Sequence, residues 1–269
     1  MKIDTPVLRL SSVTKSESGK KILDGIDLTV LRGQNWVILG GNGSGKSTLL
    51  KIGSLNTHPS QGHIEILGQT LGKSDLRSLK SRIGYTSAFL ANRFRDGITP
   101  IEVVVSGRTG SLESWWHDFS NADWERSEEL LDIVGCQKQS KQSFGSLSSG
   151  EQQRVLIARA LMPEPEIFFL DEPFAALDLE GREALISLLS ELAKDDSTPP
   201  MLLVTHHVEE IPREFKHIIL MKSGKIIESG KILDVLNSKN IKKCFNVNVS
   251  IVKRYGRWSI QRINEGNNE

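Results

Sequence analysis

The stretch GGNGSGKST has Gly40, Gly45, Lys46 and Ser47 at the spacing G-x-x-x-x-G-K-[ST], which fits a loop built to hold phosphate. Its glycines let the backbone curl until successive N–H groups point at phosphate oxygens, in a turn that a Cβ would obstruct. Lys46 would neutralise the β- and γ-phosphates, and the Ser47 hydroxyl would ligate Mg²⁺. The candidate nucleotide site is therefore Gly40, Gly41, Asn42, Gly43, Ser44, Gly45, Lys46, Ser47 and Thr48. A Gly-rich surface turn is the plain alternative. The context speaks against it, because NWVIL before the loop reads as a short buried strand and STLLKIG after it as a helix.

Two further apolar runs end on reactive side chains. EIFFL ends at Asp171 and Glu172, and MLLV at Thr205 and His206. Continuous apolar strands fit a sheet covered on both faces. In open α/β sheets, ligands gather outside the carboxyl ends of the strands. Phosphate loop, carboxylate pair and imidazole are thus expected at one edge. Asp171 would support Mg²⁺, Glu172 would orient and deprotonate an attacking water, and His206 would contact the γ-phosphate. A second anion site is legible in FGSLSSGEQQRVLIARAL. Ser148 and Glu151 have capping-box spacing, so a helix is predicted to begin near Ser149, its first-turn N–H groups flanked by Ser149 and Gly150. Pro163 would stop it.

The elements that position these groups alternate. VLRLSSV and ILDGIDLTV read as strands around the polar turn TKSESGKK, with further strands at GHIEILG and SRIGYTS. From about residue 92 to 162 the pattern turns helical, through PIEVVVSG and NADWERSEELLDIVG to the helix predicted to begin near Ser149. Strand–helix alternation then resumes. The expectation is an α/β core with an N-terminal antiparallel β subdomain and an inserted helical subdomain. Residues 1–240 would form the main domain. Residues 241–269 would be an extension, expected as a β-hairpin turning at Tyr255-Gly256.

Composition narrows the function classes. The chain has 269 residues, 25% charged and 38% hydrophobic, with a net charge of +1, which gives no reason to expect nucleic-acid binding. Its two cysteines, Cys136 and Cys244, lack metal-site spacing and suit a reducing compartment. The first ten residues do not read as a signal peptide, and no apolar run approaches the ~20 residues that span a bilayer.

With these motifs in this order, the chain resembles the ATP-binding subunits of ABC transporters over roughly residues 7 to 235. Walker A is Gly40 to Thr48, and the signature is LSSGE, Leu147 to Glu151, against the usual LSGGQ. Walker B is IFFLDE, the D-loop is AALD ending at Asp178, and the switch histidine is His206. The wording of THHVEEI and of the signature segment is most similar to compact bacterial ATPases associated with uptake. The resemblance implies a P-loop NTPase core that binds ATP and Mg²⁺ and hydrolyses ATP. It implies a head-to-tail dimer, expected as a homodimer, in which the signature helix of one subunit caps the ATP held by the other. It also implies transmembrane permease subunits on separate chains, and a cytoplasmic location at the inner face of the membrane. A soluble ABC-type ATPase of cofactor assembly or regulation is the alternative.

The sequence departs from the family pattern in three places. No aromatic residue precedes Trp36, so none is available near Glu17 to stack on adenine. No glutamine occurs between Gln69 and Gln137, whereas relatives carry one near Ala88 or a few residues later. Ser149 and Glu151 stand for a glycine and a glutamine. The aromatic cluster Trp115, Trp116, Phe119 and Trp124 has two readings, a docking surface for a membrane subunit or anchors for the insert's own core.

Overall fold

The computed structural model describes residues 6–72, 76–113 and 116–262, without side-chain detail at Leu76 and Arg77. A six-stranded sheet forms the centre. It comprises β3 (Trp36–Gly40), β6 (Ile83–Ser87), β7 (Ile167–Asp171), β8 (Met201–Thr205), β9 (His217–Lys222) and β10 (Lys225–Lys231), in the order β10-β9-β3-β8-β7-β6. All pairs are parallel except β9–β10. Strands β3, β7 and β8 are buried at every residue, which is why they read as unbroken apolar runs.

Period-two alternation along these strands feeds two separate cores. Trp36, Ile38, Ile167, Phe169 and Val204 face one side, and Val37, Leu39, Phe168, Leu170 and Leu203 the other. The first side is covered by α1 (Lys46–Gly53) and by an antiparallel sheet in the order β2-β1-β4-β5, made of β1 (Pro6–Glu17), β2 (Lys20–Leu31), β4 (Gln61–Ile66) and β5 (Gln69–Thr70). Short helix α2 (Leu76–Lys80) leads from it into β6. The other side carries three helices inserted between β6 and β7, namely α3 (Pro100–Val105), α4 (Asn121–Ile133) and α5 (Ser149–Leu161). Helix α6 (Leu179–Leu192) joins them from between β7 and β8.

The chain closes with α7 (Ile232–Val235), α8 (Ser238–Phe245) and a hairpin of β11 (Val249–Arg254) and β12 (Arg257–Arg262). Helix α8 runs across residue 240, so the expected domain boundary falls within a helix.

One turn is tighter than the sequence suggests. TKSESGKK was expected as a polar loop, but β1 runs on to Glu17, which pairs with Lys20. Only Ser18 and Gly19 turn, both at positive φ, 48° and 78°. That is the two-residue turn whose twist matches paired strands. Cross-strand pairing therefore recruits polar residues that no hydrophobic pattern marks. Phe119 and Trp124 pack edge to face against the insert's core, with ring centroids 5.9 Å apart. Trp116 is 60% exposed, and Trp115 lies outside the described residues.

Candidate functional site

The loop after β3 is shaped by close approaches. A Cβ on Gly40 would lie 2.4 Å from the Met221 carbonyl oxygen, so only glycine lets β3 and β9 meet there. Gly45 has φ +101°, and a Cβ on it would meet Leu23 Cδ2 at 2.7 Å and the Ile22 carbonyl oxygen at 2.9 Å. Gly45 is also the N-cap of α1 and offers no side-chain cap, so the first N–H groups of that helix stay available to an anion. Gly45→Ala is expected to lower stability by roughly 1–3 kcal/mol, the usual cost of a forced backbone conformation, and to abolish nucleotide binding. Thermal unfolding with and without ATP measures both, and a wild-type profile would show that the loop tolerates a side chain.

Lys46 is 4% exposed, and its ammonium donates to the Gly40 and Gly41 carbonyls at 2.9 and 3.0 Å. Burial pushes its pKa down, while Glu172 and Asp171 push it back up. Glu172 Oε1 lies 3.9 Å from Lys46 Nζ. Loop and carboxylate are thus electrostatically coupled across two strand ends. Glu172 itself sits at φ +50°, a left-handed conformation uncommon for a side chain of this size. Asp171, 7% exposed, accepts from Tyr85 Oη at 3.2 Å through Oδ2, whereas Oδ1 is buried with no protein partner. Burial raises the Asp171 pKa, and the hydroxyls of Ser47 and Tyr85 lower it. Burial, helped by the charge of Asp171, pushes the Tyr85 phenol well up from its ordinary range, so it stays a donor.

These groups line two neighbouring spaces. A cleft of about 1300 Å³ includes Ser47, Thr48, Tyr85, Ser87 and Asp171. A smaller cavity of about 220 Å³ is lined by Glu172, Ala175, Ala176, Arg182, His206 and Glu210. Residues 148–151 line neither. Ser148 caps α5 by accepting from the Glu151 N–H at 3.3 Å, while Glu151 Oε2 accepts from the Ser148 N–H at 2.9 Å. Those bonds hold the Glu151 carboxyl below its ordinary range. Ser148 and Ser149 are exposed. Asp178 caps α6, accepting from the Gly181 N–H at 2.8 Å. The loop, Asp171, Glu172 and His206 therefore gather at one edge, and the signature tip stands apart from them.

The ABC transporter family model matches residues 23–175. The chain belongs to the ABC transporter family. An uncharacterized ABC transporter ATP-binding protein of Bacillus subtilis, YlmA, is 34% identical over 257 residues, covering 95% of this chain and 97% of the relative. A phosphonates import ATP-binding protein of a Ruegeria species is 35% identical over 232 residues, covering 84% and 89%. Among solved structures, a dimeric ATP-binding cassette in a post-hydrolysis state with ADP and phosphate is 28% identical. Its TM-score is 0.70, over 84% of this chain and 98% of that one. The chain is an ATP-binding subunit of an ABC transporter and an ATPase.

Against other ABC subunits, the place of the missing glutamine is informative. A glutamine side chain reaches it from elsewhere: Gln153 of α5 donates Nε2 to the Ala88 carbonyl at 3.4 Å, while its Oε1 is buried without a partner. The segment after β6 is thereby tied to the signature helix. Sequence reasoning missed Gln153 and Tyr85. Gln153 carried a signal, being a polar residue on the buried stripe with Leu156, Ile157 and Ala160. Tyr85 gave none, because its contact with Asp171 spans 86 positions. The signature tip also touches the helix that follows the D-loop. Gly150 and Gly181 approach so closely that a Cβ on Gly150 would lie 3.1 Å from the Gly181 Cα.

Proposed function

We propose that this ATPase works as one half of a head-to-tail dimer that energises uptake through separate permease chains. One observation carries the reading. Ser148 and Ser149 are the exposed tip of a capped helix, followed by buried Gly150 and half-buried Glu151, and none of the four lines either cavity beside the chain's own phosphate loop. Such a tip fits the nucleotide of a second subunit, with Ser148, Ser149 and Gly150 nearest the γ-phosphate and Asp178 at the contact between subunits. In each composite site, Gly40 to Thr48 would cradle the phosphates. Glu172 would orient and deprotonate water, and His206 would hold the γ-phosphate. Hydrolysis then rests on positioning and charge stabilisation. The buried, unpartnered Asp171 Oδ1 and the nearby Ser47 hydroxyl fit a hard divalent cation, and these two residues would hold Mg²⁺. When bound, the ion would neutralise charge on the β- and γ-phosphates.

Among the described residues no helix is long and apolar enough to cross a membrane, so in this reading the spanning part sits on the permease chains. The cytoplasmic face of the membrane would be the working location. Similarity to an import ATP-binding protein supports uptake over export. The alternative, a soluble assembly ATPase, has no structural feature in its favour. The test is purification of the tagged chain from solubilised native membranes. A stoichiometric multi-span partner that stimulates the ATPase is expected. Recovery only as a free dimer, with full Mg²⁺-dependent turnover, would overturn the transport reading while leaving the ATPase intact.

A further inference from the structure

The C-terminal hairpin grips the segment that carries the switch histidine. Arg257, the first residue of β12, makes a bidentate pair with Glu183 of α6, Nη1 to Oε2 at 2.6 Å and Nη2 to Oε1 at 3.0 Å. The same guanidinium donates through Nη2 to the Glu209 carbonyl at 2.7 Å. Three residues along the strand, the Ile260 N–H donates to Glu209 Oε1 at 3.1 Å. Glu209 is thus held by the hairpin at both its backbone and its carboxylate.

The chain leads directly from this anchor to His206. Glu210 is 3% exposed, its carboxylate accepts from the Thr205 hydroxyl, and Arg182 of α6 faces it at 3.5 Å. The His207 N–H donates to Thr205 Oγ1 at 3.1 Å. Both neighbours of His206 are therefore bonded within segment 205–210, which the hairpin holds at Glu209. The His206 ring packs 4.1 Å from His207 by centroid, and its buried Nδ1 has no partner. Helix α6, gripped through Glu183, begins at the Asp178 cap. The hairpin is itself docked through Val249, Ile251 and Trp258 on the core.

We propose that this hairpin is a positioning element for ATP hydrolysis. Arg257 locks the switch segment to α6, and so fixes where His206 stands relative to Glu172 across the small cavity they share. The proposal rests on the reading of His206 given above. A purely stabilising role is the competing account, because the pair is bidentate and Arg257 is only 26% exposed by side chain against 48% for Glu183, so the test reads Tm beside kcat. Bidentate geometry with a third bond to a carbonyl also fixes orientation. Arg257→Lys keeps the charge but not the fork.

The test measures kcat, ATP Kd and Tm for Arg257→Ala, Arg257→Lys, His206→Ala and the Arg257→Ala/His206→Ala double variant of the full chain. Arg257→Ala is expected to lower kcat about tenfold, within the range that small misplacements cost, with Kd and Tm near wild type. Arg257→Lys should fall between. In the His206→Ala background, Arg257→Ala should add nothing, the signature of two residues acting through one. Wild-type kcat in Arg257→Ala overturns the proposal, as do additive losses in the double variant. A loss of kcat that appears only with a matching fall in Tm assigns the hairpin to stability and also overturns it. His206→Ala alone reports on the underlying reading: normal turnover there removes His206 from hydrolysis, whatever Arg257 does.

Discussion

Glu172→Gln is expected to bind ATP and to turn it over about 10²–10⁴-fold more slowly, the usual worth of a general base. The substitution keeps the size of the side chain and leaves φ +50° no more strained than before. It removes the carboxylate that can accept a proton from water, and it removes the negative charge 3.9 Å from Lys46. The ammonium is then freer to face a γ-phosphate, so affinity should be kept or improved. Because the γ-phosphate persists, an ATP-bound dimer should accumulate, visible as a doubling of mass by light scattering with ATP and Mg²⁺. Near wild-type turnover would take the base role away from Glu172. Lys46→Ala serves as the contrast, since it should lose nucleotide affinity first.

Ser148→Arg is expected to leave binding at the chain's own loop intact and to weaken dimer closure. Forcing extra bulk into a packed interface typically costs about 1–3 kcal/mol, about 5- to 150-fold in the closed population. Part of the effect is local. Ser148 is the N-cap of α5, so its loss also costs about 1 kcal/mol of helix stability. Ser148→Ala supplies the control, because it removes the cap without the bulk. The decisive measurement mixes Ser148→Arg with Lys46→Ala subunits. Each mixed dimer then holds one site with an intact loop and an intact opposing signature. Activity above that of either variant alone, at matched total protein, is expected. Mixtures with no gain would remove support for a composite site in a homodimer, and a heterodimer with another ATPase chain would become the better reading.

Much of this protein is written locally in its sequence. The phosphate loop is legible because its function needs glycines at fixed offsets, whereas the contacts that exclude a Cβ at Gly40 and Gly45, from Met221 and from Ile22 and Leu23, come from other strands. Capping at Ser148 and Glu151 involves partners three residues apart. Strands β3, β7 and β8 show as apolar runs because both faces of the sheet are covered. Their placement at one edge follows from the strand-end rule, so Lys46, Asp171, Glu172 and His206 could be named before any coordinates. The tertiary structure alone decided what surrounds them. Tyr85 meets Asp171 because β6 and β7 are adjacent parallel strands, Gln153 meets Ala88 because α5 packs beneath the end of β6, and Arg257 meets Glu183 across 74 positions of chain. None of these pairings has a signal of its own in the sequence, although Gln153 stood out singly on a buried stripe and Asp171 in a motif; packing of apolar surfaces elsewhere brings the partners together. Local spacing marks which groups are candidates for the chemistry, because their geometry is set within a single turn or strand end. The groups that orient them are chosen by proximity in three dimensions, which sequence distance does not measure.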